Sequence, residues 1–342
     1  MNKYRVGIVG CGNIFPMHAF PVNRLDNAEV VAVCDVKEDR AKKQAEKFNC
    51  HAYLDYKEMI DKAELDVVHI CTPHYMHAPV AIYAAKAKKH ILTEKPMSIK
   101  LEDAEAMIEA AKENGVTLGV IFQNRYNPGS VLIKETLTAG ALGKILSGRA
   151  LVAWDRSDEY YSKSDWKGTW DKEGGGVVID QAIHTLDLMR WFVDSEIEHI
   201  DANIGNRSHE RVEVEDVAEG IIRYKNGVIT GFYTINYYTY DAPVEIELHC
   251  EKGIAKMEGD RASIRFNDGR EWIADVNPEE AFDYGDGVKN YWGISHIKQI
   301  QNFYECLEKG TQPDITGEDA IKTQKMVCGI YASGKTNQKI YF

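Results

Sequence analysis

Apolar and polar positions fall into two regimes along the chain. Through residue 122, short apolar runs alternate with helical stretches. "YRVGIVG" (4–10), "EVVAVCD" (29–35), "DVVHICTP" (66–73), "HILTEKP" (90–96) and "VTLGVIF" (116–122) read as strands. "KEDRAKKQAEKFN" (37–49) reads as a solvated helix, and "APVAIYAAKAKK" (78–89) and "LEDAEAMIEAAKENG" (101–115) as further helices. This alternation predicts βαβ units and a parallel sheet. The near-continuous apolar strands predict a sheet covered on both faces.

The second regime begins after "QNRYNPGS" (123–130), where Pro and Gly interrupt the pattern. A helix is expected over 174–193. Long alternating runs follow in "VAEGIIRYKNGVITGFYTINYY" (217–238), "VEIELHCEKGIAKMEG" (244–259) and "ASIRFNDGREWIADV" (262–276), with hairpin turns at "KNG" and "NDG". They predict an antiparallel sheet, aromatic-rich, with one face against helices and the other outward. Two helices are expected near 291–309 and 317–334. No repeat or low-complexity segment interrupts the chain.

Composition narrows the function classes. The 342 residues carry a formal net charge of −12, which disfavours nucleic acid and anionic membrane as partners. The N-terminus runs straight into a strand, so no secretory signal is expected, and no apolar run approaches the roughly 20 residues of a membrane span. The seven cysteines are scattered with no CxxC pair. Free thiols in a reducing cytoplasm are the expectation.

The first chemical motif is "GIVGCGNIF" (7–15). Gly10 and Gly12 follow the first strand and precede a helix, with Asn13 and Ile14 completing the turn. Such a turn lets backbone approach a pyrophosphate at a helix N-terminus. Phe15 replaces the third glycine of G-x-G-x-x-G, a change that bears on helix–strand packing more than on phosphate contact. Asp35 ends the second strand, 23 residues after Gly12. A carboxylate there accepts from an adenosine ribose and repels a 2′-phosphate, which favours NAD over NADP. Lys37 beside it leaves dual use open.

The second motif is "GGGVVIDQAIHTLD" (174–187). Asp180 and His184 stand four residues apart in a mostly apolar helix, so they share one face. The same spacing fits two metal ligands, but no H-E-x-x-H or cysteine cluster supports a metal, and none is expected. Upstream, "WDRSDEYYSKSDWKGTW" (154–170) mixes aromatic and acidic residues, which suits sugar binding. Tyr160, Tyr161 and Trp166 are the candidates, with Asp155 and Arg156 beside them. Arg125 and Tyr126 either reach substrate or brace the junction.

In order, "CTPHYMHAP" (71–79), "TEKPM" (93–97), "FQNRYNP" (122–128), "WKGTWDKEGGG" (166–176) and "GGGVVIDQAIHTLD" resemble the glucose–fructose oxidoreductase / inositol dehydrogenase (Gfo/Idh/MocA) family over nearly the whole chain. The resemblance implies an α/β protein with an N-terminal Rossmann domain (1–125) and a C-terminal α+β domain (126–342) carrying an open, mainly antiparallel sheet. It implies active-site residues between the domains, a C-terminal helix packing back on the first, and a homodimer or homotetramer through the sheet. Lys95 of the EKP motif maps beside nicotinamide and substrate, and Asp180 and His184 map to the acid and histidine of D-x-x-x-H. Thr72, Pro73 and His77 match a segment lining the cofactor, and Glu94 and Gln123 match positions near the nicotinamide.

Oxidising a secondary alcohol removes a hydride, taken by nicotinamide, and a proton, taken by the protein. His184 suits the acid/base role. Lys95 supplies positive charge where an alkoxide develops, and Asp180 holds a substrate hydroxyl and orients Lys95. The expectation is therefore a cytoplasmic NAD-dependent dehydrogenase of a sugar, glycoside or cyclic polyol. Its rivals are a glycoside-cleaving enzyme that uses NAD transiently by oxidation and elimination, and a non-catalytic NAD-sensing regulator.

Overall fold

A computed structural model describes residues 3–277, 282–284 and 295–342 of the chain. It divides into two compact units. The first comprises Met1–Gln123 and Phe282–Lys322, the second Asn124–Ala281 and Thr323–Phe342.

The first unit begins β1 (Tyr4–Val9), α1 (Phe15–Arg24), β2 (Ala28–Cys34), α2 (Glu38–Phe48), β3 (His51–Tyr53), α3 (Tyr56–Lys62), β4 (Val67–Ile70), α4 (His77–Lys86), β5 (His90–Thr93), α5 (Leu101–Glu113) and β6 (Leu118–Val120). Its six strands pair in the order β3-β2-β1-β4-β5-β6, all parallel. The expected parallel α/β sheet is therefore present. β4 is buried at every position, as a strand covered on both faces must be. α5 shows why these helices form: Ala104, Met107, Ala110 and Ala111 are buried at i, i+3, i+6 and i+7, with Glu102 and Asp103 in the first turn.

Two short elements escaped the pattern, β3 and α3. Asp55 caps α3, accepting the backbone N–H groups of Lys57 and Glu58 at 2.8 and 3.0 Å. An Asp followed three residues later by Glu was the available signal. β5 stops at Thr93 rather than running to 96. The Glu94 N–H still bonds the Ile70 carbonyl at 2.9 Å, but Pro96 has no donor with which to extend the ladder.

The second unit holds α6 (Pro128–Thr138), β7 (Ile145–Ala153), α7 (Asp158–Ser162), a π-helical turn (Val177–Ala182), α8 (Ile183–Val193), β8 (Ile197–Gly205), β9 (Val217–Tyr224), β10 (Ile229–Ile235), β11 (Glu245–Cys250), β12 (Gly253–Glu258), β13 (Arg261–Phe266) and β14 (Glu271–Ala274). After it come α9 (His296–Lys309) of the first unit, α10 (Gly317–Thr336), within which the division falls, and β15 (Ile340–Tyr341). The part of the expected 291–309 helix before 295 lies outside the described residues.

Nine strands pair in the order β14-β13-β12-β11-β7-β10-β9-β8-β15. The hairpin turns stand where the sequence placed them, with Gly227 at φ +90° and Gly269 at φ +91°. One pair departs from the antiparallel expectation: β7 runs parallel to β10 and antiparallel to β11. β7 comes from before the helix, far from its neighbours in sequence, so no hairpin constrains its direction. All seven cysteines are unbridged. Among the described residues, no helix is long and apolar enough to cross a membrane.

Candidate active site

In the first unit the glycine turn joins β1 to α1. Gly10 has φ +98°, and a Cβ on it would come within 2.4 Å of the Cys71 carbonyl oxygen, so glycine is required. A Cβ on Gly12 would meet nothing within 4 Å, leaving room for a ligand against the backbone. α1 starts just beyond, with no side-chain cap at Ile14 and no acid in its first turn, so no side chain of its own competes with a phosphate at its N-terminus. Phe15 is fully buried and packs edge-on against Phe48 at 5.5 Å. Asp35 holds the turn in shape: one carboxylate oxygen accepts the Cys11 N–H at 2.9 Å and the other the Lys37 N–H at 2.8 Å.

The next candidates sit beyond β4 and β5. The hydroxyl of Thr72 and the amide oxygen of Gln123 are buried without a hydrogen-bond partner among the described residues, as expected of groups awaiting a ligand. These orphaned atoms, the open face of Gly12 and the uncapped helix fit a dinucleotide. His77 is buried and tied down, with Nδ1 2.7 Å from the Pro96 carbonyl and Nε2 2.9 Å from that of Thr72. It ties the loop after β4 to the loop after β5, which carries Lys95. Glu94 is also buried, and its Oε2 accepts the Lys95 backbone N–H at 3.2 Å.

In the second unit the three glycines are sterically compelled. Gly174 and Gly175 have φ +87° and +154°. A Cβ on Gly175 would fall 1.9 Å from the Tyr331 hydroxyl, and one on Gly176 would fall 1.9 Å from the Glu215 carbonyl oxygen. The helix then opens wide, as the π-turn. Glu215 caps it, accepting the N–H groups of Gly176 and Val178 at 2.8 and 3.0 Å, and Tyr331 accepts the N–H of Ile179 at 3.2 Å. The expected regular helix is thus two segments: Asp180 lies in the π-turn and His184, buried, in the first turn of α8. Such turns occur often at functional sites.

Asp180 gathers a polar cluster. Its Oδ2 accepts from the Tyr160 hydroxyl at 2.9 Å, the Gln181 amide at 2.7 Å and the Lys167 ammonium at 2.5 Å. The rings of Tyr160 and Trp166 flank that ammonium at 4.7 and 4.8 Å, a cation–π arrangement. Burial acts to discharge Lys167, but the charges of Asp180, Tyr160 and Glu173 outweigh it and hold its pKa well above the ordinary lysine value. Glu173, 3.5 Å from the same nitrogen, is pushed up to about 8, mainly by burial. Lys167 was not among the residues singled out from sequence, although it lies inside the "WKGTWDKEGGG" stretch.

The other expected substrate contacts are placed elsewhere. Tyr161 is buried against Val212 and Val214, with its hydroxyl accepting from the Asn236 amide at 2.7 Å. Arg125 is buried in a two-point ion pair with Asp187 at 2.6 and 2.7 Å. Asp155 is exposed, its N–H bonded to Asp241 at 2.9 Å. Tyr126 closes a short 3₁₀ turn, Gln123–Tyr126. Asn124, which the sequence did not single out, is 1 % exposed, and both its amide atoms lack a partner among the described residues.

The buried ionisable groups give the two units opposite pH responses. In the first, burial lowers the pKa of His18, His69 and His77. Unfolded, they take up protons near pH ~6.5, so their contribution is complete above that pH and is lost as pH falls. In the second, burial raises Glu215 to about 7 and Glu173 to about 8, and a hydrogen bond to Asp216 raises His209. Here the folded form binds more protons, so their contribution is lost as pH rises through those values. Hydrogen exchange corrected for intrinsic rates, compared at pH 5.5 and 7.5, is expected to show β4 less protected and α8 more protected at the lower pH. Changes of the same sign in both segments would contradict this.

The turn, the parallel sheet and the orphaned groups beside it define a dinucleotide-binding oxidoreductase fold. Residues 4–122 match the Gfo/Idh/MocA oxidoreductase family, NAD-binding Rossmann fold, and residues 131–256 match that family's C-terminal domain. The chain belongs to this family and is an NAD-binding oxidoreductase. It is 27% identical to a myo-inositol 2-dehydrogenase of Thermotoga maritima over 92% of this chain and 91% of that one. It is 26% identical to a levoglucosan dehydrogenase of Pseudarthrobacter phenanthrenivorans, over 91% and 90%. Among solved structures, it resembles the WlbA dehydrogenase from Bordetella pertussis in complex with NADH and UDP-GlcNAcA, with a TM-score of 0.87, 28% identity, and coverage of 100% and 98%.

Proposed function

We propose that this protein moves a hydride between NAD and a secondary hydroxyl or ketone of a sugar, glycoside or cyclic polyol. The observation that carries this reading is the cluster on Asp180: a mostly buried helix opens on a π-turn whose one carboxylate gathers an ammonium, a phenol and an amide. Relatives named for inositol and levoglucosan support the substrate class. Gly10, Gly12, Asn13, Ile14, Asp35, Thr72, Pro73 and Gln123 are the residues that would hold NAD, which when bound supplies the hydride acceptor. Lys95 stabilises the developing alkoxide. His184 takes the proton as general base. Asp180, paired with Lys167, accepts from a substrate hydroxyl, and the Asn124 amide offers a donor and an acceptor for another. A cavity of about 450 Å³ lined by Tyr161, Ser164, Lys167 and Arg211 adds a polar recess in the same unit.

The test is NADH formation across inositols, free sugars, sugar acids and glycosides, with NAD and NADP in parallel. NADH from one of these classes supports the reading. NAD binding with silence across the panel overturns it, and aglycone release in the same wells would then favour oxidation–elimination over a sensor.

A homodimer or homotetramer through the nine-stranded sheet belongs to the same proposal. The strand register puts Ile221, Tyr233, Ile254 and Ile273 on one face, and they are 38–53% exposed. An apolar set of this kind on a sheet face is what an association surface offers. Sedimentation at micromolar concentration is expected to show an oligomer, and a monomer would remove this part.

A further inference from the structure

Beneath Lys95 in the first unit runs a chain of buried polar side chains that the proposed chemistry does not use. His18 of α1 sets Nε2 3.0 Å from Glu94 Oε1 and Nδ1 2.9 Å from Nδ1 of His69 on β4. His69 sets Nε2 2.9 Å from the Tyr304 hydroxyl on α9. His296, also on α9, approaches the same Glu94 oxygen at 3.2 Å. His18, His69 and Tyr304 are wholly buried, and Glu94 and His296 nearly so. A carboxylate and three imidazoles are a costly set to bury merely to fill space.

With Glu94 ionised and both linked imidazoles neutral, one arrangement gives each link a single proton. Tyr304 O–H donates to His69 Nε2, His69 Nδ1–H to His18 Nδ1, and His18 Nε2–H to Glu94. The acceptor-only Glu94 carboxylate thereby fixes both histidine tautomers, and Tyr304 closes the chain by donating to the one nitrogen left over, His69 Nε2. The ionisation behaviour agrees. Burial keeps His18 and His69 neutral by lowering their pKa. Burial alone would raise Glu94, but the hydrogen bonds from His18 and His296 outweigh it and hold its carboxyl well below the usual range. Cys71 and His77 are the other titratable groups coupled to this carboxylate. Glu94's second oxygen holds the Lys95 backbone N–H.

We propose that His18 is a positioning residue: the Tyr304–His69–His18 chain presents one fixed N–H to Glu94, which stays an anion and pins the backbone of Lys95. This rests on the assignment of Lys95 to the chemistry, but its first test does not. Carbon-detected NMR titration of Glu94 in the protein without NAD reads the carboxylate directly. His18→Leu is expected to raise the Glu94 titration midpoint by about 1 pH unit or more, while His18→Gln, which can return an N–H to the same oxygen, restores it. An unchanged midpoint in His18→Leu overturns the proposal. So does failure of His18→Gln to restore the midpoint in a folded protein.

Kinetics give the second test. His18→Leu is expected to lower kcat by roughly tenfold to a hundredfold with little change in KM for NAD, with recovery in His18→Gln. Should His18→Leu fail to fold, Tyr304→Phe removes one O–H and leaves the ring. It removes the donor to His69 Nε2 and so weakens the polarisation carried along the chain, and the Glu94 midpoint is expected to move upward. No movement there overturns the chain. If Lys95→Ala keeps full turnover while the NMR shifts appear, the lysine assignment fails and the hydrogen-bond chain stands.

Discussion

Replacing Lys95 by alanine is expected to cut turnover by about a thousandfold or more while NAD still binds. The magnitude follows from the role. A cation placed where an alkoxide develops acts on the transition state far more than on the ground state. Sparing of the cofactor site follows from local structure. The contact that ties residue 95 to Glu94 is made by its backbone N–H, which alanine retains. The loop that carries it is held to the loop after β4 by His77, through the carbonyls of Pro96 and Thr72. Steady-state kinetics on whichever substrate the panel identifies, with NADH fluorescence titration alongside, separates the two effects. Near-normal turnover would remove Lys95 from the mechanism. Loss of NADH binding together with turnover would make the lysine a structural part of the cofactor site.

The largest loss of stability is expected at Asp187. Its carboxylate accepts from Arg125 at 2.6 and 2.7 Å, from Thr323 at 2.6 Å and from Arg190 at 3.4 Å. Burial acts to raise its pKa, but the Arg125 charge outweighs it and keeps the group ionised. Asp187→Ala removes the carboxylate to which two buried guanidinium groups are bonded. Breaking such a cluster from one side costs about 3–5 kcal/mol, a large part of the roughly 5–15 kcal/mol that holds most domains folded. Urea unfolding followed on the second unit measures it. Thr323→Val, which removes one neutral hydrogen bond from the same carboxylate, is expected to cost only about 1 kcal/mol. A loss below about 1 kcal/mol in Asp187→Ala would show that water or a rearrangement compensates the arginines.

What could be read from the chain beforehand was the information carried within a few residues. The glycine turn is such a case. Gly10 and Gly12 follow a strand directly, and their geometry is dictated by neighbours in sequence. The hairpins at Gly227 and Gly269 are another. The helix beginning at the three glycines was legible as a helix but not as a π-turn. Its widening depends on Glu215 and Tyr331 (35 or more residues downstream) reaching back to its first amides. The aromatic stretch illustrates the same boundary. Composition suggested rings suited to a sugar, but it could not say that Tyr160 and Trp166 would flank Lys167 or that Tyr161 would enter a small core. Which face of a ring is covered is set by tertiary packing, and nothing in residues 154–170 encodes it locally. The His18–His69–Tyr304 chain spans α1, β4 and α9. Its sequence traces are isolated histidines in the apolar runs "FPMHAFP" and "DVVHICTP", a pattern that more often marks an ordinary core residue.

The place of β7 in the second sheet governs how that sheet can be assembled. β8 to β10 form one antiparallel meander and β11 to β14 another, each from neighbouring segments. Among the described residues only β7 pairs as a strand with both, matching Ser147 with Ile229 on one side and with His249 on the other. Zippering of adjacent strands therefore yields two half-sheets but never the whole. The joining step must close loops of some 80 to 100 residues, the kind of non-local pairing that slows folding. During synthesis β7 emerges first of these strands and must wait for the last of its partners. A single strand thus acts as the seam of the sheet, the one place where two locally assembled halves are stitched together by hydrogen bonds among the described residues.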